Sequence, residues 1–191
     1  MSFKFDFWYW ENVLSQKDRI YLNDYINKNY DKKEDDHLKS HNIETGKKKK
    51  FTDTKIIQLG RIKNKINHIL ENAIDIAQYE FGYYIYQPVD KDYINYNTYL
   101  AKDNARYDYH IDSSQSDLFD IKLTLLINIS KKPYQGGQFK YYLNEEENEI
   151  KQLNIPGNAI MLKSHLNHKV LPVTKGERNT LTFFICGPKF R

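Results

Sequence analysis

Residues 156–187 read PGNAIMLKSHLNHKVLPVTKGERNTLTFFICG, and this stretch decides the fold class. It contains three short apolar runs, which we predict to be β-strands at 159–163, 168–173 and 179–187. The turn-forming sequence at 156–158 precedes the first of them, as expected between antiparallel strands. Short strands separated by turns indicate a β-sheet domain with local, antiparallel connections.

Five more runs of the same character precede this stretch. They lie at 93–101, 107–112, 121–129, 138–143 and 149–155. Gly136-Gly137 supplies another turn signal between two of them. Eight short strands at this spacing predict a β-sandwich or a jelly roll.

The N-terminal part has a different pattern. Residues 3–9 alternate and are rich in aromatic side chains, which predicts a strand, and Ser15-Gln16-Lys17-Asp18 resembles a capping box that opens a helix. From 58 to 81 the apolar residues keep helical spacing, and Gly82 fits the end of that helix. We therefore expect supporting helices within residues 1–82, packed against one sheet.

Composition points to one domain with a substantial core. The chain has 191 residues, 40% of them hydrophobic, with 16 Tyr and 10 Phe. The net charge of +4 owes much to Lys47–Lys50, which we interpret as part of a solvated loop, with a contact to an acidic or nucleic-acid partner as the alternative. Because Cys186 is the single cysteine, no internal disulfide can form, and we expect a cytoplasmic protein. No apolar stretch reaches the ~20 residues that span a bilayer, so we expect no membrane contact.

The candidate chemistry begins with His110 and Asp112. Side chains at i and i+2 of an extended segment share one face, so these two can reach a single ion, and His168 would complete a set of three ligands. Two imidazoles and one carboxylate leave positions open on the metal, which is typical of non-haem Fe(II), although zinc sites of this composition also exist. His165 competes with His168 as the third ligand, and about 0.5 His-x-Asp pairs are expected by chance, so the ligands alone leave the metal open.

Arg178 makes the pattern more specific, because it follows His168 by ten residues at the start of the last predicted strand. With this arginine, the C-terminal half resembles the 2-oxoglutarate and Fe(II)-dependent oxygenases, and within them the prolyl 4-hydroxylase-like branch. The segments that carry the resemblance are Tyr99, 107–112 (YDYHID), 123–128 (LTLLIN), 136–139 (GGQF), 156–162 (PGNAIML), 168–173 (HKVLPV) and 176–178 (GER).

The resemblance implies a double-stranded β-helix, with residues 93–188 as the catalytic jelly-roll core of a single domain. It implies that His110, Asp112 and His168 hold Fe(II), and that Arg178 binds the distal carboxylate of the co-substrate 2-oxoglutarate. Further donors to that carboxylate would be Thr180, Tyr99 and Tyr107. Tyr107 competes with Tyr99, because the segment between Tyr99 and the His-x-Asp motif is longer than is usual in the family.

The implied reaction is oxidative decarboxylation of 2-oxoglutarate to succinate and CO2, coupled to hydroxylation of a substrate C–H bond, with ascorbate as the expected reductant. Lids over such a site are expected, and residues 113–119 and 31–53 are the candidates. A prolyl residue in a peptide or protein is the substrate that the resemblance favours.

Three alternatives remain at this stage. One is an oxygenase acting on a small metabolite or free amino acid, and another is a non-catalytic jelly-roll module that binds metal. The third is nucleic-acid demethylation by the alkylation-repair relatives. Those relatives carry a second arginine six residues after the first, where this chain has Phe184, so a nucleic-acid partner is not expected. Nothing in the sequence indicates an oligomeric state.

Overall fold

The computed structural model describes residues 5–30, 51–113 and 116–190 of the chain. Two α-helices lie in the N-terminal part of these residues, α1 (Gln16–Asn29) and α2 (Lys63–Tyr79). The strands are β1 (Phe7–Trp10), β2 (Asp53–Gln58), β3 (Tyr93–Leu100), β4 (Tyr107–His110), β5 (Asp120–Asn128), β6 (Gln135–Gly136), β7 (Phe139–Leu143), β8 (Glu146–Glu149), β9 (Ala159–Lys163), β10 (Asn167–Val170), β11 (Val173–Lys175) and β12 (Glu177–Gly187).

The strands form two facing antiparallel sheets and a short two-stranded ribbon. The larger sheet has six strands in the order β1-β9-β5-β12-β3-β2, and the smaller one has four in the order β4-β10-β7-β8. Strands β11 and β6 make the ribbon. This mainly β architecture, with helices against one sheet, confirms the predicted jelly roll.

The larger sheet is buried on both faces, which the alternation along β12 makes clear. Leu181, Phe183 and Ile185 point away from the barrel and join the core that also contains the apolar residues of both helices. Thr182 and Phe184 alternate with them and face the interior between the two sheets. One strand thus supplies the core beneath the helices and one wall of an internal cavity.

The start of α1 and the end of α2 lie close to where the sequence predicts them. The hydroxyl of Ser15 accepts a hydrogen bond from the backbone N–H of Asp18, which caps the first turn of α1. In α2 the apolar stripe is buried, and Gly82 follows it with a φ of +69°. That left-handed conformation suits glycine and stops the helix. None of the helices in the described ranges combines the length and apolar character needed to cross a bilayer.

Three of the predicted boundaries are wrong. The segment at 58–81 is not one helix, because Leu59–Arg61 form a 3-10 turn before α2. Strand β2 precedes that turn, in a stretch for which no element was predicted. Predicted strand 149–155 is mostly a 3-10 helix at Lys151–Asn154. Predicted strand 168–173 breaks after Val170, since Pro172 cannot donate to a ladder. Residues 31–50 and 114–115, which include Lys47–Lys50 and parts of both expected lids, lie outside the described residues.

Candidate metal centre

The two histidines of the candidate site are brought together by strand pairing. His110 is the last residue of β4, and it lies opposite His168 in the antiparallel register with β10. Directly opposed residues share one face of a sheet, so both imidazoles point into the barrel. Their ring centroids are 4.2 Å apart.

Hydrogen bonds to the backbone orient both rings. Nδ1 of His110 lies 2.8 Å from the carbonyl oxygen of Asp108, and Nδ1 of His168 lies 2.8 Å from that of Leu166. A carbonyl only accepts, so in the neutral imidazole each Nδ1 must carry the hydrogen and donate it. Each Nε2 is then the unprotonated nitrogen, which is the form that ligates a metal.

Asp112 faces the two Nε2 atoms from just beyond the end of β4. Its Oδ1 lies 3.8 Å from Nε2 of His110, and its Oδ2 lies 3.5 Å from Nε2 of His168. The backbone N–H of Asp112 donates to the carbonyl of Ser164 at 2.9 Å, which holds the residue beside the turn before β10. The three side chains offer ligand atoms that all lie within 4.8 Å of one another.

Thr124 on β5 is a functional candidate that the sequence reading missed. Its hydroxyl donates to Oδ2 of Asp112 at 2.7 Å, so the carboxylate is fixed from the side of the larger sheet. The signal was present in the sequence, because Thr124 is the hydroxyl residue in the apolar run of 123–127. A polar side chain at an inward position of a buried strand requires a partner.

This donor set suits a divalent first-row metal. Two neutral imidazole nitrogens and a carboxylate oxygen on one side leave the other side of an ion open, which is the arrangement of oxygen-activating Fe(II) sites. The same donors bind zinc, so chemistry beside the triad has to distinguish the two metals. The neighbouring arginine provides that chemistry.

Arg178 is 1% exposed, yet much of its guanidinium has no partner. Its Nε and Nη2 atoms, and the hydroxyl of Thr180, lack hydrogen bonds to any described residue. A buried unpaired cation is costly, and no described carboxylate forms an ion pair with it. These free donors fit a carboxylate ligand, which a guanidinium binds through two parallel hydrogen bonds.

Tyr99 and Gly137 surround this arginine. Tyr99 is its register partner on β3, and the guanidinium carbon lies 4.9 Å from the centre of the Tyr99 ring. Burial raises the pKa of Tyr99, which keeps its hydroxyl protonated and able to donate. A Cβ at Gly137 would lie 3.0 Å from Cδ of Arg178, so glycine at that turn leaves room for the arginine.

The remaining predicted residues fall in separate places. Tyr107 stacks on His110, with ring centroids 3.5 Å apart and planes 14° from parallel. His165 is exposed and is not part of the triad, whereas His168 is. His68 on α2 is not part of the triad either, and its Nε2 lies 2.9 Å from the carbonyl oxygen of Val13.

A cavity of about 600 Å³ extends from the triad along the inner face of the larger sheet. Its walls are Ile56, Tyr93, Asn95, Asn97, Tyr99, Tyr107, His110, Asp112, Ser113, Thr124, Leu126, Phe139, His168, Val170, Thr182 and Phe184. The volume is in the range of sites that bind small molecules. Metal ligands and a large polar and aromatic surface thus share one space.

Comparison with known proteins gives one family. Residues 94–186 match the model of the 2OG-Fe(II) oxygenase superfamily, a range that contains the triad and Arg178. The search of curated protein sequences found no match.

Several solved structures share the fold at low identity. A prolyl-4-hydroxylase from Pseudomonas putida is 16% identical with a TM-score of 0.67, covering 97% of this chain and 95% of its own. A viral collagen prolyl hydroxylase from Paramecium bursaria Chlorella virus-1, in a 2OG complex, is 16% identical with a TM-score of 0.65, covering 96% and 97%. A prolyl hydroxylase from Trichoplax adhaerens, in complex with a hypoxia inducible factor peptide, is 18% identical with a TM-score of 0.66, covering 94% and 83%.

Proposed function

This chain belongs to the 2OG-Fe(II) oxygenase superfamily, and from that premise we propose that it hydroxylates a prolyl residue in a peptide or protein. The dioxygenase class and its use of Fe(II) and 2-oxoglutarate follow from the family. The substrate and the role of each residue are the proposal. The observation that carries the assigned residue roles is a buried arginine with unpaired donors beside a three-ligand metal site.

In the proposed site, His110, Asp112 and His168 hold Fe(II). Their orientation is set before the metal binds, because backbone carbonyls fix both imidazoles and Thr124 fixes the carboxylate. The bound metal and 2-oxoglutarate would together supply the oxidising chemistry: one atom of dioxygen would enter succinate as 2-oxoglutarate loses CO2, and the other would enter the substrate C–H bond as a hydroxyl group. The protein contributes ligands, orientation and a shielded space.

Arg178 binds the distal carboxylate of 2-oxoglutarate in this proposal. The pairing satisfies guanidinium donors that otherwise remain buried and unpaired, and Thr180 adds a hydroxyl donor. Tyr99 is the better candidate for the third donor, because it faces Arg178 across the β3–β12 register. Tyr107 lies on the ring of His110 instead, so we assign it to holding that imidazole in place.

Apolar side chains keep water from the space between metal and arginine. Leu126 of β5, Phe139 of β7 and Val170 of β10 line the cavity and are each less than a tenth exposed. Exclusion of water strengthens the charge interactions of the site and limits side reactions. The two facing sheets are therefore part of the chemistry as well as the support for it.

A peptide substrate is supported by the neighbours and by the cavity mouth. Two of the similar structures are hydroxylases named for prolyl or collagen substrates, and a third was solved with a peptide fragment. Ile56 and Tyr93 line the cavity while being 38% and 61% exposed, so this end opens to solvent. An extended chain can enter an open cleft, whereas a small metabolite is usually enclosed.

The test is succinate formation by protein purified without oxygen and then given Fe(II), 2-oxoglutarate, ascorbate and air. We expect iron-dependent succinate that increases with proline-containing peptides. His168→Ala and Arg178→Ala should reduce it at least a hundredfold, because each removes a group that binds metal or co-substrate. Mass spectrometry of the peptides should find a gain of one oxygen on proline.

His165→Ala is the matched control for His168→Ala, since His165 is three residues away and exposed. It should retain full activity. Normal turnover by His168→Ala would refute the ligand assignment. Stimulation by small metabolites, with no effect of peptides, would instead replace the peptide by a metabolite substrate.

A further inference from the structure

Strands β3 and β12 form a ladder of inward-facing pairs that runs from Arg178 to the cavity mouth. Tyr99 lies opposite Arg178, Asn97 opposite Thr180, and Asn95 opposite Thr182. Four residues of strand at about 3.3 Å each place Asn95 roughly 13 Å from Tyr99. A five-carbon diacid anchored at Arg178 is too short to reach that level, so Asn95 lines a part of the cavity that the co-substrate leaves free.

The two asparagines of this ladder differ in their hydrogen bonds. The carboxamide of Asn97 accepts from the hydroxyl of Thr54 at 2.7 Å and donates to that of Thr182 at 3.0 Å, so it is paired within the protein. The side chain of Asn95 lines the same cavity and has no hydrogen bond to a described residue. Its carboxamide therefore presents both a donor and an acceptor to whatever enters.

Asn95 also has a defined neighbourhood. Ile56 of β2 is its register partner on one side and Thr182 of β12 on the other, and both line the cavity. Tyr93 and Phe184 add aromatic surface closer to the mouth. Apart from the proposed metal ligands, the described lining residues are all uncharged. Burying a charged group here would leave it without a counter-charge.

We infer that the Asn95 carboxamide pairs with a main-chain amide of the substrate, and that the segment entering the cavity is an uncharged stretch of peptide; this inference rests on the proposed function. A carboxamide matches a peptide group because each has one donor and one acceptor in a similar arrangement. The aromatic and apolar neighbours then contact side chains next to the reacting residue. Asn95 is thus a specificity-determining residue, separate from the metal and co-substrate ligands.

The experiment uses three pools of acetylated, amidated proline peptides that are identical except for the residues flanking proline, which are Ala, Glu or Lys. Peptide-dependent succinate is measured for the Fe(II)- and 2-oxoglutarate-loaded enzyme. The wild type should favour the Ala pool over both charged pools by at least about tenfold in kcat/KM. Asn95→Asp should lose about tenfold on the Ala pool and gain relative activity on the Lys pool, because the substitution removes a donor and adds a negative charge.

Asn64→Asp is the matched control, since Asn64 is exposed on α2 and does not line the cavity. It should keep the wild-type ranking of the three pools. Succinate formed without peptide should be equal in the wild type and Asn64→Asp, and far-ultraviolet circular dichroism should show that Asn95→Asp is folded. An unchanged ranking in Asn95→Asp would overturn the inference while the proposed function stands.

Failure of the proposed function gives a different result. If no pool stimulates the wild type although peptide-independent succinate forms and is lost in Arg178→Ala, peptide hydroxylation is wrong and the inference falls with it. If the wild type forms no succinate under any condition, the co-substrate assignment of Arg178 is wrong as well.

Discussion

At the scale of single residues, the hydroxyl of Thr124 fixes the metal ligand Asp112 without itself being proposed as a ligand. The hydrogen bond from Thr124 to Oδ2 of Asp112 is 2.7 Å long and links β5 to the end of β4. Thr124→Val keeps the shape and removes the donor. We expect Fe(II) affinity to fall about 10- to 100-fold, as is usual when an outer partner of a metal ligand is lost. Calorimetric titration of the protein with Fe(II) under argon measures this.

Thr124→Ser provides the control, because serine restores the hydroxyl without the methyl group. Its Fe(II) affinity should stay close to that of the wild type. If Val and Ser variants bind Fe(II) equally well, the hydrogen bond has no part in holding the metal. Far-ultraviolet circular dichroism should be unchanged in both, since the fold does not depend on this single contact.

Cys186 offers a second test at the residue scale, because it is the one cysteine of the chain. Burial raises the pKa of its thiol to about 11. The thiolate is the reactive form, so at pH 8 alkylation of the folded protein should be about 100-fold slower than in urea. Iodoacetamide labelling followed by mass spectrometry gives both rates, and equal rates would show that the thiol is not shielded.

The raised pKa of the Cys186 thiol also makes the free energy of unfolding depend on pH. The folded state favours the neutral thiol, so the stabilisation is complete below the ordinary pKa of 9.0 and is lost as the pH rises through about 11. Cys186→Ser should therefore weaken the pH dependence of unfolding between those values.

At the scale of elements, the turn between β6 and β7 is shaped around Arg178. Gly137 has a φ of +67°, and a Cβ there would lie 3.0 Å from both Arg178 Cδ and Val173 Cγ2. Gly137→Ala should lower the free energy of unfolding by about 1–2 kcal/mol through its left-handed backbone, and should displace the arginine. We therefore expect weaker 2-oxoglutarate binding as well as lower stability, measured by calorimetry and urea unfolding.

Gly82→Ala separates the two effects. Gly82 has a φ of +69°, but a Cβ there would meet nothing within 4 Å. It should show the same backbone cost of about 1–2 kcal/mol with normal 2-oxoglutarate binding. Equal binding by both alanine variants would mean that Gly137 acts only through its backbone.

Elements also show what could and could not be predicted from sequence. Strand β12 was predictable, because its apolar and inward-facing residues alternate over a long run. Strand β2 was not, since within the described part of the chain it is an edge strand that pairs with β3 alone, and a highly charged stretch of sequence precedes it. The roles of Tyr99 and Tyr107 likewise depended on register, as pairing with β12 brings Tyr99 opposite Arg178. Register is a tertiary property that spacing alone does not determine.

At the scale of the whole molecule, the barrel holds the guanidinium of Arg178, which forms no ion pair with any carboxylate in ranges 5–30, 51–113 and 116–190. His110 and His168 lie on two strands of the smaller sheet, Asp112 follows the first of these, and Arg178 lies on the larger sheet, so the fold brings the four residues together before any ligand is present. Such a preformed site lowers the stability of the free protein, because two guanidinium nitrogens are buried without a hydrogen-bond partner among the described residues. Binding of a dicarboxylate should raise the free energy of unfolding again, so the stability of the entire domain should depend on the concentration of 2-oxoglutarate.

Arg178→Met tests this coupling, since methionine fills much of the same space without charge. Without 2-oxoglutarate, the variant should unfold at a temperature equal to or higher than that of the wild type, with each 1 kcal/mol gained worth about 2–4 °C in a domain of this size. With Fe(II) and 2-oxoglutarate at 100 times its Kd under argon, the wild type should gain about 2.7 kcal/mol and the variant nothing. Arg61→Met, at an exposed arginine, should behave as the wild type. A lower unfolding temperature for Arg178→Met without 2-oxoglutarate would show that the guanidinium is already paired, and the carboxylate site would then have to be sought elsewhere in the barrel.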